Sequence, residues 1–345
     1  MRIGIVGAGA LGGTFAALLA RAGYDVEVAA RGAGLDAIRA NGIHLTGAYG
    51  DVHARVTANE TLTTPPIVAL LCTKAQDAPA ALTANAATLD GTTVVVVQNG
   101  LDGVDAATRI LPGANVFGLL STIAANYTVP GEVTVTAAMP SLLGRGDGPA
   151  DAETVALATM LSSAVPVRAI DNFRGAQWSK LVMNMLNAVP AVLGLSMQQA
   201  IRLRGARRIT TMAMREAARV GIARGVQFGD IPGLDDPGLR SFAKRPLWLA
   251  QALPTAIVAT MGNVPNYGST GQSLRRGVPT EVDALNGAVV REAAAAGVAA
   301  PVNAVLMRLV HDVERTGRPI TEAELVRSVR DRRQPVNTVG APDAL

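Results

Sequence analysis

The sequence predicts an α/β fold: an N-terminal Rossmann-type, doubly wound parallel sheet followed by an all-helical C-terminal domain. Three observations carry that expectation. Short β-branched apolar runs alternate with helical segments over the first 170 residues, the pattern of a parallel sheet with helices on both faces. The first run leads directly into glycines spaced G-x-G-x-x-G. From Phe173 to about Arg333 nearly every segment is helical. At 345 residues the chain is long for one core and sufficient for two. The expected division is residues 1–170, residues 171–333 and a tail, 334–345, that lacks apolar periodicity and is expected to be mobile.

Taken in order, "RIGIV" (2–6) is the first strand, followed by "GAGALGG" and a helix to about Arg21. "DVEVAA" (25–30) is the second strand, and "GLDAIRANG" a short helix ending at Gly42. "IHLTGAYGDVHARV" (43–56) has the form of a hairpin. "IVALLC" (67–72) is a buried strand, "AQDAPAALTANAATL" (75–89) a helix, and "TTVVVVQNG" (92–100) another buried strand. "NVFGLL", "GEVTVTA" and "SLLGRG" are expected to extend the same sheet. The helical half is broken at "GDIPGLDDPG", "GNVPNYGS" and "RTGRP".

Composition narrows the function classes. The chain is 49% hydrophobic and 17% charged, with aromatics at only 3% and a formal charge of +4. No basic run and few stacking aromatics argue against nucleic-acid binding. The single cysteine, Cys72, excludes an intrachain disulfide framework and a cysteine metal cage. No apolar run is long enough to cross a bilayer, and the apolar opening is a strand, a turn and a helix rather than a signal peptide, so a cytoplasmic location is the default. The histidines His44, His53 and His311 adjoin no motif, and no His, Asp or Glu set has metal-ligand spacing, so no metal is expected. Of 31 basic residues only Lys74, Lys180 and Lys244 are lysine, which hints at ammonium chemistry where lysine does occur.

Gly7, Gly9 and Gly12 form the dinucleotide fingerprint: a tight turn, an approach for the pyrophosphate, and close helix–sheet packing. A site for NAD usually places an acid at the end of the second strand. Here "VEVAARG" has alanine at 29 and 30 and then Arg31, a cation suited to a 2′-phosphate, so NADPH is expected over NADH. Lys74 in "LLCTKAQ" and Asn99 in "VVVVQNG" follow buried strands and should face the same crevice, although Asn-Gly is also a common tight turn. In "RGAQWSKLVMNMLNAV" (174–189), Lys180, Asn184 and Asn187 would share one face of a mostly apolar helix at about 100° per residue.

With these residues in place the chain resembles the ketopantoate reductase family, from Met1 to about Arg333. The resemblance rests on "GAGALGG", "ARG", "TKAQ", "VQNG", "WSKLVMN" and "GSTGQSLRRGVPTEVDALNG" in this order. It implies an NADPH-dependent reduction of a 2-oxo acid, 2-dehydropantoate to pantoate in pantothenate biosynthesis. Lys180 and Glu281 would be the catalytic pair. Asn99, Asn184, Asn187, Asn266 and Ser269 would bind substrate, with Ser269 on its carboxylate. Gly7, Ala8, Gly9, Ala10, Leu11, Gly12, Arg31, Lys74 and Asn99 would hold the cofactor. Lys180, among Trp178, Leu181, Val182 and Met183, has the apolar setting in which an ammonium can serve as proton donor.

Plainer roles stand beside these. Thr280, Glu281 and Asp283 make a good helix start, with Thr280 as N-cap and Asp283 as its capping partner, and Ser269 could cap the helix "TGQSLRR". The chain also departs from the family pattern: Ala188 stands where the second helix asparagine is usual, "LSMQQ" replaces a "PNG"-like turn, and the segment 228–266 is long. These departures surround the substrate. The alternatives are therefore a reductase of another branched or aromatic 2-oxo acid, with "RPLWLAQALP" lining its pocket, and a non-catalytic NADPH-binding sensor. The expected partner is a small 2-oxo acid, with no nucleic acid and no membrane, and the alanine-rich helical domain offers a face for a homodimer.

Overall fold

The computed structural model describes residues 1–331, so the tail expected from residue 334 lies outside the described residues. The chain forms two compact units. The first is Met1–Leu181 together with Val226–Asp236; the second is Val182–Gly225 together with the chain from Pro237 onward. The boundary therefore falls inside a helix.

The first unit is built on an eight-stranded sheet ordered β12-β11-β8-β7-β6-β1-β2-β5. Its strands are β1 (Arg2–Val6), β2 (Asp25–Ala29), β5 (Thr57–Asn59), β6 (Val68–Leu71), β7 (Thr93–Val96), β8 (Asn115–Leu120), β11 (Ser141–Gly144) and β12 (Val167–Ala169). From β5 to β8 all pairings are parallel, and β11 turns antiparallel against β8. The central strands are apolar on both sides because both faces are covered. Ile3 and Ile5 of β1, Leu70 of β6 and Val95 of β7 join one buried cluster with Phe15 and Leu18 of α1 (Ala10–Arg21). Val6, Leu71, Val94 and Val96 join the other, with Leu82 of α3 (Ala78–Ala84) and Ala107 of α5 (Gly103–Ile110). The remaining helices of this unit are α2 (Gly32–Asn41), α4 (Ala86–Leu89), α6 (Ala152–Ser162) and the start of α7 (Phe173–Asn184).

The predicted hairpin forms, as β3 (Ile43–Gly47) and β4 (Val52–Ala54). It belongs to a second sheet, ordered β4-β3-β10-β9, with β9 at Ala124–Val129 and β10 at Glu132–Ala137. "GEVTVTA", expected in the large sheet, is β10 and pairs parallel with β3 instead. Its alternation explains this: Val133 and Val135 are buried while Glu132, Thr134 and Thr136 are exposed, the pattern of a strand covered on one face only. The segment 75–89 is not one helix but a 3-10 turn, α3 and α4. At the break the buried Asn85 accepts from Leu62 N at 2.7 Å and donates to Ala81 O at 2.7 Å, spending its amide on tying a loop down.

The second unit is helical: α8 (Ala188–Leu193), α9 (Met197–Arg202), α10 (Arg204–Ala223), α11 (Asp236–Lys244), α12 (Leu247–Ala250), α13 (Ala252–Ala259), α14 (Gly268–Arg275), α15 (Val282–Ala295), α16 (Pro301–Thr316) and α17 (Glu322–Asp331). Helix α7 ends at Asn184, and Asn187 is the residue before α8, so Asn187 does not share the helix of Lys180. Pro190 accounts for the break. In a continued helix it would lack an N–H and crowd the carbonyl of residue 186, whereas the first turn of a new helix tolerates it. Among the described residues no helix is long and apolar enough to cross a membrane.

Candidate active site

The carboxyl ends of the parallel strands lie along one edge of the large sheet, and the motif residues of the first unit follow directly from them. After β1 the chain turns through Gly7, whose N–H donates to Ala29 O at 2.9 Å. Gly7 has φ of +100°, and a Cβ there would lie 2.7 Å from Thr73 Cγ2. At Gly12 a Cβ would lie 1.8 Å from Gly7 O, so this position fixes the approach of α1 to the strand. Gly9 is different. A Cβ there would meet nothing within 4 Å, and its backbone is extended, at φ −75° and ψ −161°. The fold therefore has reasons for Gly7 and Gly12 but none for Gly9, which leaves an open cradle at the N-terminus of α1. With no acidic residue in the first turn of α1, its N–H groups suit an anion, and Ala8, Ala10 and Leu11 line the same turn, each half-buried. The residues present fit a dinucleotide.

Arg31 is exposed and directly precedes α2, which also lacks acids in its first turn. The acid nearest the carboxyl end of β2, Glu27, is buried and committed elsewhere: its Oε1 accepts from Thr63 N at 2.8 Å, Thr63 Oγ1 at 2.7 Å and Asn59 Nδ2 at 3.1 Å. Burial pushes its carboxyl up, but these hydrogen bonds outweigh it and hold the group below its ordinary value. Lys74, half-buried after β6, has a carbonyl that accepts from Asp77 N at 3.0 Å and Ala78 N at 3.1 Å. Asn99, also half-buried, follows β7 between Gln98 and Gly100.

Gln98, Gln177 and Ser121, given no role from sequence, join these ends. Gln98 Nε2 donates to Thr73 O at 2.9 Å, coupling the loop after β7 to the loop that holds Lys74. Gln177 Nε2 donates to Gly100 O at 3.4 Å. Lys180, 8% exposed, donates from Nζ to the carbonyl oxygen of Ser121, the residue that follows β8. Gln177 and Lys180 are three apart on α7 and so share a face, which meets the ends of neighbouring strands β7 and β8. The signal for Gln177 was its spacing to the lysine. Trp178, Leu181 and Val182 around Lys180 are buried, and Met183 is partly so. One turn on, Asn184 has a buried Nδ2 with no acceptor among the described residues.

In the second unit Asn187 packs on Gly268, where a Cβ would fall 2.4 Å from Asn187 Oδ1. Asn266 Oδ1 accepts from Gly268 N at 2.9 Å, its N–H donates to Gln198 Oε1 at 3.0 Å, and its carbonyl accepts from Met197 N at 2.7 Å. Ser269 is exposed in the first turn of α14, with Tyr267 rather than Ser269 at the N-cap position. Asn187, Asn266 and Ser269 thus gather around one backbone segment.

Glu281, half-buried, itself occupies the N-cap position of α15. Thr280 is not the N-cap, although its hydroxyl accepts from Val282 N at 3.2 Å. Asp283 does not close a capping box. Its carboxylate meets His311 Nε2 at 3.0 Å, while His311 Nδ1 meets Glu314 Oε2 at 2.7 Å and Glu314 Oε1 accepts from Thr280 N at 2.7 Å. His311, remote from every motif in sequence, is therefore bound to the segment that carries Glu281. The other two histidines also meet: the hairpin sets His44 opposite His53, beside Asp51.

Known proteins resemble this chain along most of its length. Two family models match: the ketopantoate reductase PanE/ApbA model over residues 3–148 and its C-terminal counterpart over residues 172–314. A 2-dehydropantoate 2-reductase of Mesorhizobium japonicum is 30% identical, covering 84% of this chain and 90% of its own length. That of Pyrococcus abyssi is 28% identical over 91% of this chain and 98% of its own. Among solved structures, a PanE/ApbA family ketopantoate reductase from Ralstonia eutropha is 30% identical, with a TM-score of 0.78 over 92% of this chain and 99% of its own. D-mandelate dehydrogenase, solved with NADH and anilino(oxo)acetate, shares the fold at 22% identity and TM-score 0.78, covering 92% of this chain and 99% of its own. Since the two models match the α/β and the helical regions in the order in which this chain folds them, and the relatives align along nearly all of it, the chain belongs to the ketopantoate reductase family.

Proposed function

We propose that this oxidoreductase uses NADPH to reduce a 2-oxo acid to the 2-hydroxy acid, with 2-dehydropantoate as substrate and pantoate as product. Residues 1–170 act as the cofactor domain and 171–333 as the substrate and catalytic domain. The observation that carries the reading is the buried ammonium of Lys180, held on Ser121 O at the sheet edge that also bears the glycine turn, Lys74 and Asn99. Bound NADPH would supply the hydride. Lys180 then delivers a proton to the oxygen of the reduced carbonyl, so that hydride and proton together give the hydroxyl. Asn184, with a buried amide donor lacking an acceptor among the described residues, offers a hydrogen bond to the substrate, which Glu281 and Ser269 orient through its hydroxyl and carboxylate. Arg31 and the N-terminus of α2 take the 2′-phosphate, and the commitment of Glu27 to the 59–63 loop supports NADPH because no acid remains at the strand end for a ribose.

One observation favours a second reading. Asn187 lies on Gly268 instead of on the helix face of Lys180, so the substrate side departs from the family pattern where a different 2-oxo acid side chain would be accommodated. Steady-state kinetics on ketopantoate beside branched and aromatic 2-oxo acids, each with NADPH and NADH, test both. The highest kcat/KM on ketopantoate with NADPH is expected. A preference for an aromatic acid moves the assignment to the second reading. Tight cofactor binding with no turnover on any carbonyl overturns both in favour of a sensor.

A further inference from the structure

Outside the reductase site, the hairpin of the second sheet brings together a donor set that linear spacing hides. Strands β3 and β4 pair antiparallel with His44 directly opposite His53. Their neighbours Ile43, Leu45, Val52 and Ala54 are buried, so period-two alternation sends both imidazoles to the other face. The rings stack at 3.9 Å between centroids and 11° between planes. Asp51, immediately before β4, places Oδ1 at 2.9 Å from His44 Nε2 and 3.5 Å from His53 Nε2. One ligand atom from each of the three lies within 4.8 Å of the others.

These separations are informative. Around a tetrahedral Zn2+ with bonds of about 2.0–2.1 Å, ligand atoms lie roughly 3.3 Å apart. The two contacts to Asp51 bracket that value. Imidazole with one carboxylate suits zinc and its neighbours in the first transition row rather than magnesium or calcium, which prefer oxygen donors. Glu132 of β10 is the register partner of His44 on its other side. Two of the chain's three histidines are spent on this one cross-strand pair, in a protein whose catalysis as read above uses neither.

We propose that His44, Asp51 and His53 form a surface transition-metal site that binds one Zn2+, with water completing the coordination. The ion bridges β3 to β4, and because β3, β4 and β10 pack against α1, it braces the layer behind the cofactor helix without touching the reacting groups. Its role is structural, and the assignment does not depend on the substrate.

Isothermal titration of the metal-free full-length protein with zinc chloride tests it. One saturable site per chain is expected, with a thermal midpoint that rises as zinc is added, because a ligand bound only by the native state stabilises it. His44→Ala and His53→Ala should each weaken binding by at least about tenfold, the lower end of what even an outer-shell partner's loss costs. The double variant should abolish binding and the thermal response, while His311→Ala retains both. Asp51→Asn, close in shape to the native residue, should also weaken binding and serves as the readout if a histidine variant fails to fold. Absence of saturable binding in the native chain, or binding that survives the double variant, overturns the proposal.

Discussion

The ammonium of Lys180 is held by the carbonyl oxygen of Ser121, at the carboxyl end of β8, in a residue only 8% exposed. A lysine serving merely as a solubilising charge would extend its amine to water along an apolar stem. This one turns the amine inward to the sheet edge where the cofactor motif lies. Replacing it separates charge from shape. Lys180→Met keeps most of the buried stem and removes the proton, and Lys180→Ala removes both. Each should lower kcat by about two or more orders of magnitude, the scale of lost general acid catalysis, while KM for NADPH changes little. Steady-state kinetics check this, and near-normal turnover in either variant removes Lys180 from the chemistry.

The three fingerprint glycines should not respond alike to a methyl group. Gly9→Ala introduces a Cβ with nothing inside 4 Å, in a backbone conformation alanine adopts, so stability should hold or rise by about 0.4–1 kcal/mol. Its methyl would occupy the cradle, so NADPH affinity should fall sharply. Gly12→Ala drives a Cβ to 1.8 Å from Gly7 O, and the overpacking should cost about 1–3 kcal/mol or more. Thermal melts beside cofactor titrations read both effects. Equal destabilisation of the two variants would mean that Gly9 serves packing after all.

Arg31 supplies the test of cofactor choice. It is exposed, heads α2, and the acid two strand positions before Ala29 is already consumed by Thr63 and Asn59. Arg31→Ala should raise KM for NADPH by roughly tenfold, about the 1.4 kcal/mol of one charged hydrogen bond, and leave KM for NADH nearly unchanged. Parallel kinetics with the two cofactors measure the difference. Equal effects on both would make Arg31 a solvated surface residue.

The parts legible in the sequence were those where residue type constrains backbone or burial directly. Doubly buried strands such as "VALL" and "TVVV" can only be central, and Gly7 and Gly12 answer to a positive φ and a backbone contact that no other residue tolerates. What depends on partners far along the chain was not legible. The alternation in "EVTVTA" shows one covered face but not that β3 is its neighbour. The helix break before Asn187 was readable in principle, since Pro190 cannot sit in a helix interior, but the helical spacing of the polar residues pointed the other way. Gln98 sits inside "VQNG" and Gln177 three before the lysine, yet their contacts, like that of Ser121, arise only when strand ends become neighbours. His311 meets Glu314 by its i,i+3 spacing on α16, but Asp283 reaches it only by the packing of α15 on α16.

That histidine carries the pH dependence. Burial lowers the His311 pKa, but its hydrogen bonds to Asp283 and Glu314 outweigh burial and raise it above the ordinary 6.5. Glu314 goes the opposite way: burial raises its carboxyl, yet hydrogen bonds from Thr280 and His311 bring it below 4.5. The signs follow from linkage. A raised histidine contributes stability that is fully present below 6.5 and lost as pH rises through its folded value. A depressed carboxylate contributes stability present above 4.5 and lost as pH falls through its folded value. The network should therefore stabilise most between these limits. His311 is 43% exposed along its side chain, so screening keeps the gain to about 1 kcal/mol or less. Thermal midpoints of the native chain and of His311→Asn, measured across pH, should differ most in that window and converge above and below it. A constant offset at every pH would show that the ring acts by packing alone. Thr280 donates its N–H to Glu314 and directly precedes Glu281, so the same series should be run with KM for the 2-oxo acid. A rise in that KM as the network discharges above neutral pH, absent in His311→Asn, would tie the titration to the placement of Glu281.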